Sequence, residues 1–163
     1  MAKKIMSWSK CLIEIGKTGE DDAFPVSLKS VGTIKDKSTT LETSDGDTLE
    51  AKATGGILVA KETQEGGYTL TTRIIEPEDS LFVDLGLGEV TASDLDVKTH
   101  IVSEDYAVKV TPKNVGAKGI KAAKTSVSFK PGYSEEEGHF VDLTFDFLMP
   151  TTGVWYTRFT KTA

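Results

Sequence analysis

The chain has 163 residues, a net charge of −6, a hydrophobic content of 38% and a single cysteine. This length is sufficient for one buried core. The single cysteine excludes an internal disulfide framework, and the acidic balance disfavours generic phosphate binding, which depends on lysine and arginine. No apolar run is long enough to span a membrane, and the N-terminus has no signal-peptide pattern. We therefore expect one domain, 1–163, made in a reducing compartment.

The first distinctive segment is residues 38–56, STTLETSDGDTLEAKATGG. Two strands joined by a turn at Asp45-Gly46 are predicted, because Asp-Gly between β-type runs favours a tight hairpin. Apart from alanine, its only apolar side chains are Leu41 and Leu49. A two-stranded hairpin that buries so little is marginal in water.

The register that aligns the apolar face of this hairpin pairs Leu41 with Ala51. The same register places Glu42 opposite Glu50, and facing like charges destabilise a strand pair. We therefore expect residues 38–56 to form a projecting polar arm that another surface completes, such as a second subunit.

Alternation of apolar and polar residues dominates the rest of the chain. It is clearest in residues 68–74, 106–110, 125–129 and 141–149, and each run has one apolar and one polar face. This pattern is typical of antiparallel sheet with one side on a core. Short strands separated by Gly and Pro turns predict a mainly β fold, an antiparallel β-sandwich or barrel.

One segment departs from the strand pattern. Residues 77–85, PEDSLFVDL, have proline at the start and acidic residues in the first turn, and a glycine follows them. A short flanking helix is predicted here, with Leu81 and Leu85 lying on the sheet. Residues 86–104 have no clear pattern.

Charge is unevenly distributed along the chain. Residues 98–130 contain seven lysines and two acidic residues, a net charge of +5, whereas the remainder carries −11. One interpretation is a solvated sheet face. The other is a positive face that meets a negative face of a neighbouring copy, as in head-to-tail contacts that form rings or filaments.

Motifs for chemistry are sparse. His100 and His139 have no ligand-type neighbour at metal spacing, and neither GxSxG nor GxxxxGK[ST] occurs. The acidic clusters 20–22, 45–47 and 135–137 are interpreted as solvated turns, with a cation site as the alternative. A spatial pair of carboxylates for glycoside hydrolysis stays open. We predict a non-enzymatic protein with no catalytic, cofactor-binding or metal-binding residues.

Residues 38–51, STTLETSDGDTLEA, followed by Gly55-Gly56, resemble tail tube proteins of tailed bacteriophages, especially the prophage-type versions in bacterial genomes. The element order is also similar: a polar arm, a long strand, a short helix and further antiparallel strands. The resemblance implies a β-sandwich or barrel with a flanking helix. It also implies hexameric rings that stack into a hollow tube for DNA or, in the related type VI secretion tube, for effectors.

The resemblance further implies that the chain's main partner is itself, with other tail components, and that DNA passes through transiently without specific binding. A lumen rich in carboxylates would let DNA slide, because lysine would hold phosphates. The chain would be made in the bacterial cytoplasm and assembled in a virion tail or prophage-derived particle. A monomeric β-sandwich binding module is the alternative. The residues expected in the inter-subunit arm are Thr40, Leu41, Glu42, Asp45, Asp47, Leu49 and Glu50, and the expected lumen or interface carboxylates are Asp142 and Asp146.

Overall fold

The computed structural model describes residues 3–8 and 10–163, which form a mainly β protein with antiparallel sheets and one short α-helix. The fold class expected from the alternating pattern is confirmed. Helix α1 spans Asp79–Asp84. The strands are β1 (Cys11–Lys17), β2 (Lys29–Ser30), β3 (Thr40–Ser44), β4 (Thr48–Ala53), β5 (Ile57–Thr63), β6 (Gly67–Ile75), β7 (Gly88–Thr91), β8 (Asp94–Val97), β9 (Tyr106–Pro112), β10 (Lys118–Ser134), β11 (Gly138–Phe147) and β12 (Thr157–Thr160).

Eight strands form the main antiparallel sheet in the order β2-β1-β9-β10-β11-β6-β3, and β12 pairs with β10 beside this path. Strand β10 is long because its first part pairs with β9 and β12, whereas its second part pairs with β11. The register with β9 shifts between Ala122 and Thr125. Irregularities of this kind bend a strand and let one sheet turn into two packed halves. The arrangement is consistent with a β-sandwich type of fold.

A single cluster of buried side chains draws on both halves of the sheet. Alternation places these residues on the inner face, as expected for a sheet with one side on a core. The apolar face predicted for residues 141–149 is confirmed as far as Phe147, whereas Met149 lies beyond β11 and is exposed. The strand contributions to the core include Ile13, Ile15, Leu70, Ile74, Val108, Phe129, Val141, Leu143, Phe145 and Phe147.

The helix predicted for residues 77–85 is present as α1. Leu81, Phe82 and Leu85 are buried, and the Phe82 ring meets the Phe129 ring edge-on at 5.0 Å between centroids. The helix therefore closes one side of the core. Strands β7 and β8 follow it and form a small separate hairpin within the segment that had no clear sequence pattern.

The hairpin predicted across Asp45-Gly46 is wrong in its pairing. Strand β3 pairs with β6 inside the main sheet, and β4 pairs with β5 instead of β3. The physical reason is burial: opposite β6, Leu41 faces Leu70 and packs against the core. This pairing also places Thr69 opposite Glu42, which removes the facing like charges.

Candidate assembly surface

Strands β4 and β5 form a two-stranded hairpin outside the main sheet, here called the projecting hairpin (48–63). Every residue of both strands is exposed. The turn between them contains Gly55 and Gly56 at φ of +90° and +78°, and the Gly56 amide donates to the Ala53 carbonyl at 3.1 Å. Glycine suits this turn because residues with a Cβ atom rarely adopt a positive φ. A projecting arm therefore exists, but it lies later in the chain than predicted.

The pairing of the two strands gives the projecting hairpin one apolar face. Leu49 lies opposite Glu62, Ala51 opposite Ala60, and Ala53 opposite Ile57, so these residues share a side. Leu49 is 54% exposed and Ile57 66% exposed. Glu62 is the one charged residue on this side, at the end near the base of the hairpin. We call the other members of the set, Leu49, Ala51, Ala53, Ile57 and Ala60, the apolar face of the hairpin.

The opposite side of the projecting hairpin is mostly polar. Glu50 pairs with Lys61, and Lys52 lies opposite Leu58 after a one-residue bulge at Val59. The cross-strand Glu50–Lys61 pair joins opposite charges, which favours this register over the one predicted from the sequence. The hairpin is thus amphipathic although none of the residues that the structure describes covers either of its sides.

The base of the projecting hairpin is anchored to the main sheet. The Gln64 amide donates to the Asp47 carbonyl at 2.7 Å, and the Gly67 amide donates to the Ser44 hydroxyl at 3.0 Å. Just below the hairpin, Trp155 Nε1 donates to a Glu65 carboxylate oxygen at 2.9 Å. Since these bonds hold both chain ends, the direction in which the hairpin leaves the sheet is set by the fold.

Two glycines allow the chains to approach each other closely at this base. A Cβ on Gly66 would overlap the Ser44 carbonyl, and a Cβ on Gly46 would overlap the Gln64 carbonyl. Both obstacles are backbone atoms, which move less readily than side-chain ends. The Asp45-Gly46 dipeptide therefore serves a close crossing of chains, not the hairpin turn that it predicted.

The residues expected in an inter-subunit arm are separated by the fold. Thr40, Leu41 and Glu42 belong to β3 in the main sheet, where the Thr40 hydroxyl bonds that of Thr71 at 2.7 Å. The connection between β3 and β4 contains the two aspartates, Asp45 and Asp47, whereas the projecting hairpin itself contains Leu49 and Glu50.

The two expected lumen carboxylates lie on the outer, polar face of β11. Asp142 accepts two hydrogen bonds from Arg73, at 2.7 Å from Nε and 3.0 Å from Nη2. Asp146 accepts one from the Thr69 hydroxyl at 3.1 Å. Asp142 is therefore neutralised by a bidentate partner within its own chain, and Asp146 is bound only to a neutral group among the described residues.

Arg73 also joins Asp142 to Glu137. Its Nη1 lies 2.8 Å from Glu137, whose other carboxylate oxygen contacts Lys35. The hydrogen bond from Lys35 lowers the pKa of Glu137, with a further contribution from Arg73, against the opposing effect of burial. The network ties the loop after β10 to β6 and β11.

We expect acid to destabilise the protein through Glu137. A depressed pKa means that the folded chain binds this proton more weakly than the unfolded chain does, so lowering the pH favours unfolding. The stabilisation should be present at neutral pH and fade below about pH 4.3, the ordinary value for glutamate. Melting temperatures measured between pH 7 and pH 3 should fall less steeply for Glu137→Gln than for the wild type.

Glu136→Gln is the matched control for this experiment because Glu136 is the exposed neighbour in the same loop. Its melting temperatures should follow the wild-type curve. Identical pH profiles for Glu137→Gln and the wild type would show that the network makes no contribution to acid stability.

The second strand of the projecting hairpin, Ile57–Thr63, was missed by the sequence reasoning. Its signal is present: Gly55-Gly56 is a turn dipeptide, and the run ILVAK after it is rich in β-branched and aliphatic residues. The Asp45-Gly46 dipeptide upstream is the stronger hairpin signal, and it predicts a turn at the wrong position.

The lysine-rich segment 98–130 is largely engaged within its own chain. Lys98 pairs with Glu89 at 3.1 Å and Lys124 with Asp22 at 3.5 Å. Lys109 lies 5.0 Å from the centre of the Phe159 ring, and Lys121 lies 5.4 Å from that of Phe24. These contacts favour a solvated sheet face over a free basic surface.

Within residues 3–8 and 10–163, no group of three His, Cys, Asp or Glu side chains is arranged to hold a metal ion. Two of the acidic clusters have carboxylates that are engaged within the chain. In cluster 20–22, a hydrogen bond from the Thr151 amide lowers the pKa of Asp22. In cluster 135–137, Glu137 forms an ion pair with Arg73.

In the same described residues no helix has the length and apolar character needed to cross a membrane.

The fold and this surface define a mainly β, antiparallel protein with an uncovered amphipathic hairpin. No protein-family model matches the chain, and no curated protein matches it.

Proposed function

We propose that the chain is a self-assembling structural subunit of the tail-tube type, which forms hexameric rings that stack into a hollow tube for DNA or effector passage. The observation that carries this proposal is the exposed apolar face of the projecting hairpin. Its role is structural and uses no catalytic residue. It acts with other copies of itself and with other tail components, after synthesis in the bacterial cytoplasm, in a virion tail or prophage-derived particle.

An isolated hairpin of two strands is only weakly stable. Two strands alone are marginal in water, and stable sheets need a third strand or a packed surface. Fully burying a large aliphatic side chain stabilises by about 1.5–3 kcal/mol, and Leu49 and Ile57 have more than half of their surface exposed. Covering the apolar face with a neighbouring subunit would recover part of this free energy.

The edges of the main sheet give a second argument for assembly. Strand β3 is the last strand of the path, and strand β2 at the other end has only two residues, Lys29 and Ser30. Unpaired edges are templates for pairing with another chain, and natural proteins cover or shorten them. A ring would protect the β3 edge by strand addition or close packing.

The charge balance supports passage of DNA through such a tube. The outer face of β6 and β11 carries the hydroxyls of Thr69, Thr71 and Thr144 together with Asp146. Its one arginine, Arg73, is held by Asp142 and Glu137. A lining of this kind would hold phosphates weakly, since retention depends on lysine and arginine. Asp142 adds little to it because Arg73 neutralises its charge.

Negative-stain microscopy of concentrated protein, with light scattering after size exclusion across a concentration series, tests the proposal. Rings or stacked rings with a mass that rises with concentration are expected. A strict monomer at every concentration and ionic strength would overturn it and favour the monomeric binding module.

A further inference from the structure

A second exposed apolar surface lies at the start of the chain. Residues 3–8 run beside the loop 113–116, where Asn114 Nδ2 donates to the Met6 carbonyl at 3.0 Å and Ile5 packs against Gly116. Four large apolar side chains are exposed here, and Trp8 is the most exposed of them at 68%. We call Ile5, Met6, Trp8 and Val115 the N-terminal patch.

An exposed tryptophan within an apolar group is unusual on a surface that faces only water. Contiguous apolar patches rimmed by polar residues mark interaction sites. Tryptophan is also enriched among the residues that carry most of the binding energy at interfaces. The N-terminal patch therefore has the composition of a contact surface.

The rim of the N-terminal patch is basic. Lys3, Lys4, Lys10 and Lys113 are exposed, and none of them pairs with a carboxylate among residues 3–8 and 10–163. By contrast, residues 45–65, which include the projecting hairpin and its base, contain five carboxylates and two lysines, a net charge of −3. The two surfaces are opposite in charge and both apolar at their centres.

Another exposed apolar region is a poorer match for the projecting hairpin. Val83, Val90 and Val97 are exposed around α1, β7 and β8. Residues 78–98 there carry six carboxylates and one lysine, a net charge of −5. Like charges facing each other across an interface suppress binding. The basic N-terminal patch is the surface that electrostatics favours.

The two complementary surfaces belong to different parts of the fold. The projecting hairpin leaves the sheet between β3 and β6, whereas the N-terminal patch lies where β1 begins and β9 ends. Within one chain both are exposed, so neither covers the other. A contact that joins two different surfaces of identical chains is head-to-tail, and it either closes into a ring or extends as a filament.

We propose that the projecting hairpin of one copy docks on the N-terminal patch of a second copy. Its apolar face covers Trp8 and Ile5, and the carboxylates at its base face Lys3, Lys4 and Lys10. This inference rests on the proposed function and names the surface that receives the hairpin. A single contact of this kind buries little surface and binds weakly. Several such contacts in one assembly hold the copies together more tightly than any one of them alone.

Two charge-reversed variants test the contact. The first carries Lys3→Glu, Lys4→Glu and Lys10→Glu, and the second carries Asp45→Lys, Asp47→Lys and Glu62→Lys. Each variant alone should need about tenfold or more protein to assemble, because like charges would then face each other. An equimolar mixture should assemble again, since each variant then supplies the complement of the other in alternation.

A cross-link gives an independent readout. In a Cys11→Ser background, Trp8→Cys combined with Ile57→Cys should form disulfide-linked oligomers under mild oxidation, and the matched pair Trp8→Cys with Tyr133→Cys should not. Circular dichroism of each variant should match that of the wild type, which establishes that the variant is folded.

The outcomes separate this inference from the proposed function. If the wild type assembles but the charge-reversed variants assemble equally well and no cross-link forms, the N-terminal patch is not the receptor and the proposed function still stands. If the wild type never assembles, both fail.

Discussion

Deletion of Thr48–Thr63, with Asp47 joined to Gln64 through two glycines, is expected to abolish assembly and leave a folded monomer. The join is short because the Gln64 amide already lies 2.7 Å from the Asp47 carbonyl. In the described part of the chain the deleted strands pair only with each other, so the main sheet loses none of its strand pairs. Light scattering and microscopy should show monomer alone, with a melting temperature within a few degrees of the wild type.

A double substitution tests the contribution of the apolar face while the hairpin itself is kept. Leu49→Thr with Ile57→Thr keeps both strands but makes the apolar face polar. Assembly should weaken by roughly thirtyfold, because each of the two side chains contributes on the order of 1 kcal/mol. The matched control, Leu58→Thr, lies on the opposite side of the hairpin and should assemble at nearly the wild-type concentration.

Either of two results would contradict the argument from the projecting hairpin. Global unfolding of the deletion variant would show that β4 and β5 support the core. Normal assembly of that variant would show that another surface joins the subunits. Deletion of residues 39–54, the segment that the sequence alone marked as the arm, would remove β3 from the main sheet and is expected to destabilise the fold.

Replacement of Phe145 by alanine is expected to destabilise the fold strongly. Phe145 has no exposed surface and lies near the end of β11, opposite Val127 of β10 on one side and Leu70 of β6 on the other. Truncation of a buried phenylalanine costs about 3–5 kcal/mol, because the cavity collapses only partly. A domain of this size should melt roughly 10 °C lower or more.

Tyr133→Ala is the matched control for this aromatic truncation. Tyr133 is 68% exposed, and its ring contacts that of His139 at 4.9 Å between centroids. Its removal should change the melting temperature by no more than a few degrees. If Phe145→Ala were equally mild, the two halves of the sheet would not share the tightly packed core that the cluster indicates.

The fold class was predictable because an antiparallel sheet produces a recognisable pattern in the local sequence. Each strand that has one face on the core alternates apolar and polar residues, and Val141, Leu143 and Phe145 show this without any knowledge of their neighbours. The short helix was predictable for the same kind of reason. Proline, acidic residues and the spacing of Leu81 and Leu85 are all local signals.

The candidate surface was predicted only in part. Composition alone shows that a polar arm has too little apolar area to be stable by itself. The structure contains an uncovered hairpin, as this expectation requires. Which strands form it was not predictable, because Leu41 could face either Ala51 or Leu70 on local grounds. The choice depends on free energy gained by burial against a distant strand, which no local pattern records.

The N-terminal patch likewise could not be predicted in full from the local sequence. Lys3, Lys4 and Trp8 lie within six residues of one another in the chain, but Val115 lies near them only because β1 begins where β9 ends. By itself, the amino-acid sequence determined the β architecture, the helix and the acidic balance, since these follow from residue type and short-range period. The tertiary structure alone decided strand partners, the neutralisation of Asp142 by Arg73 and the uncovered face of the hairpin, because each depends on which distant residues are brought together.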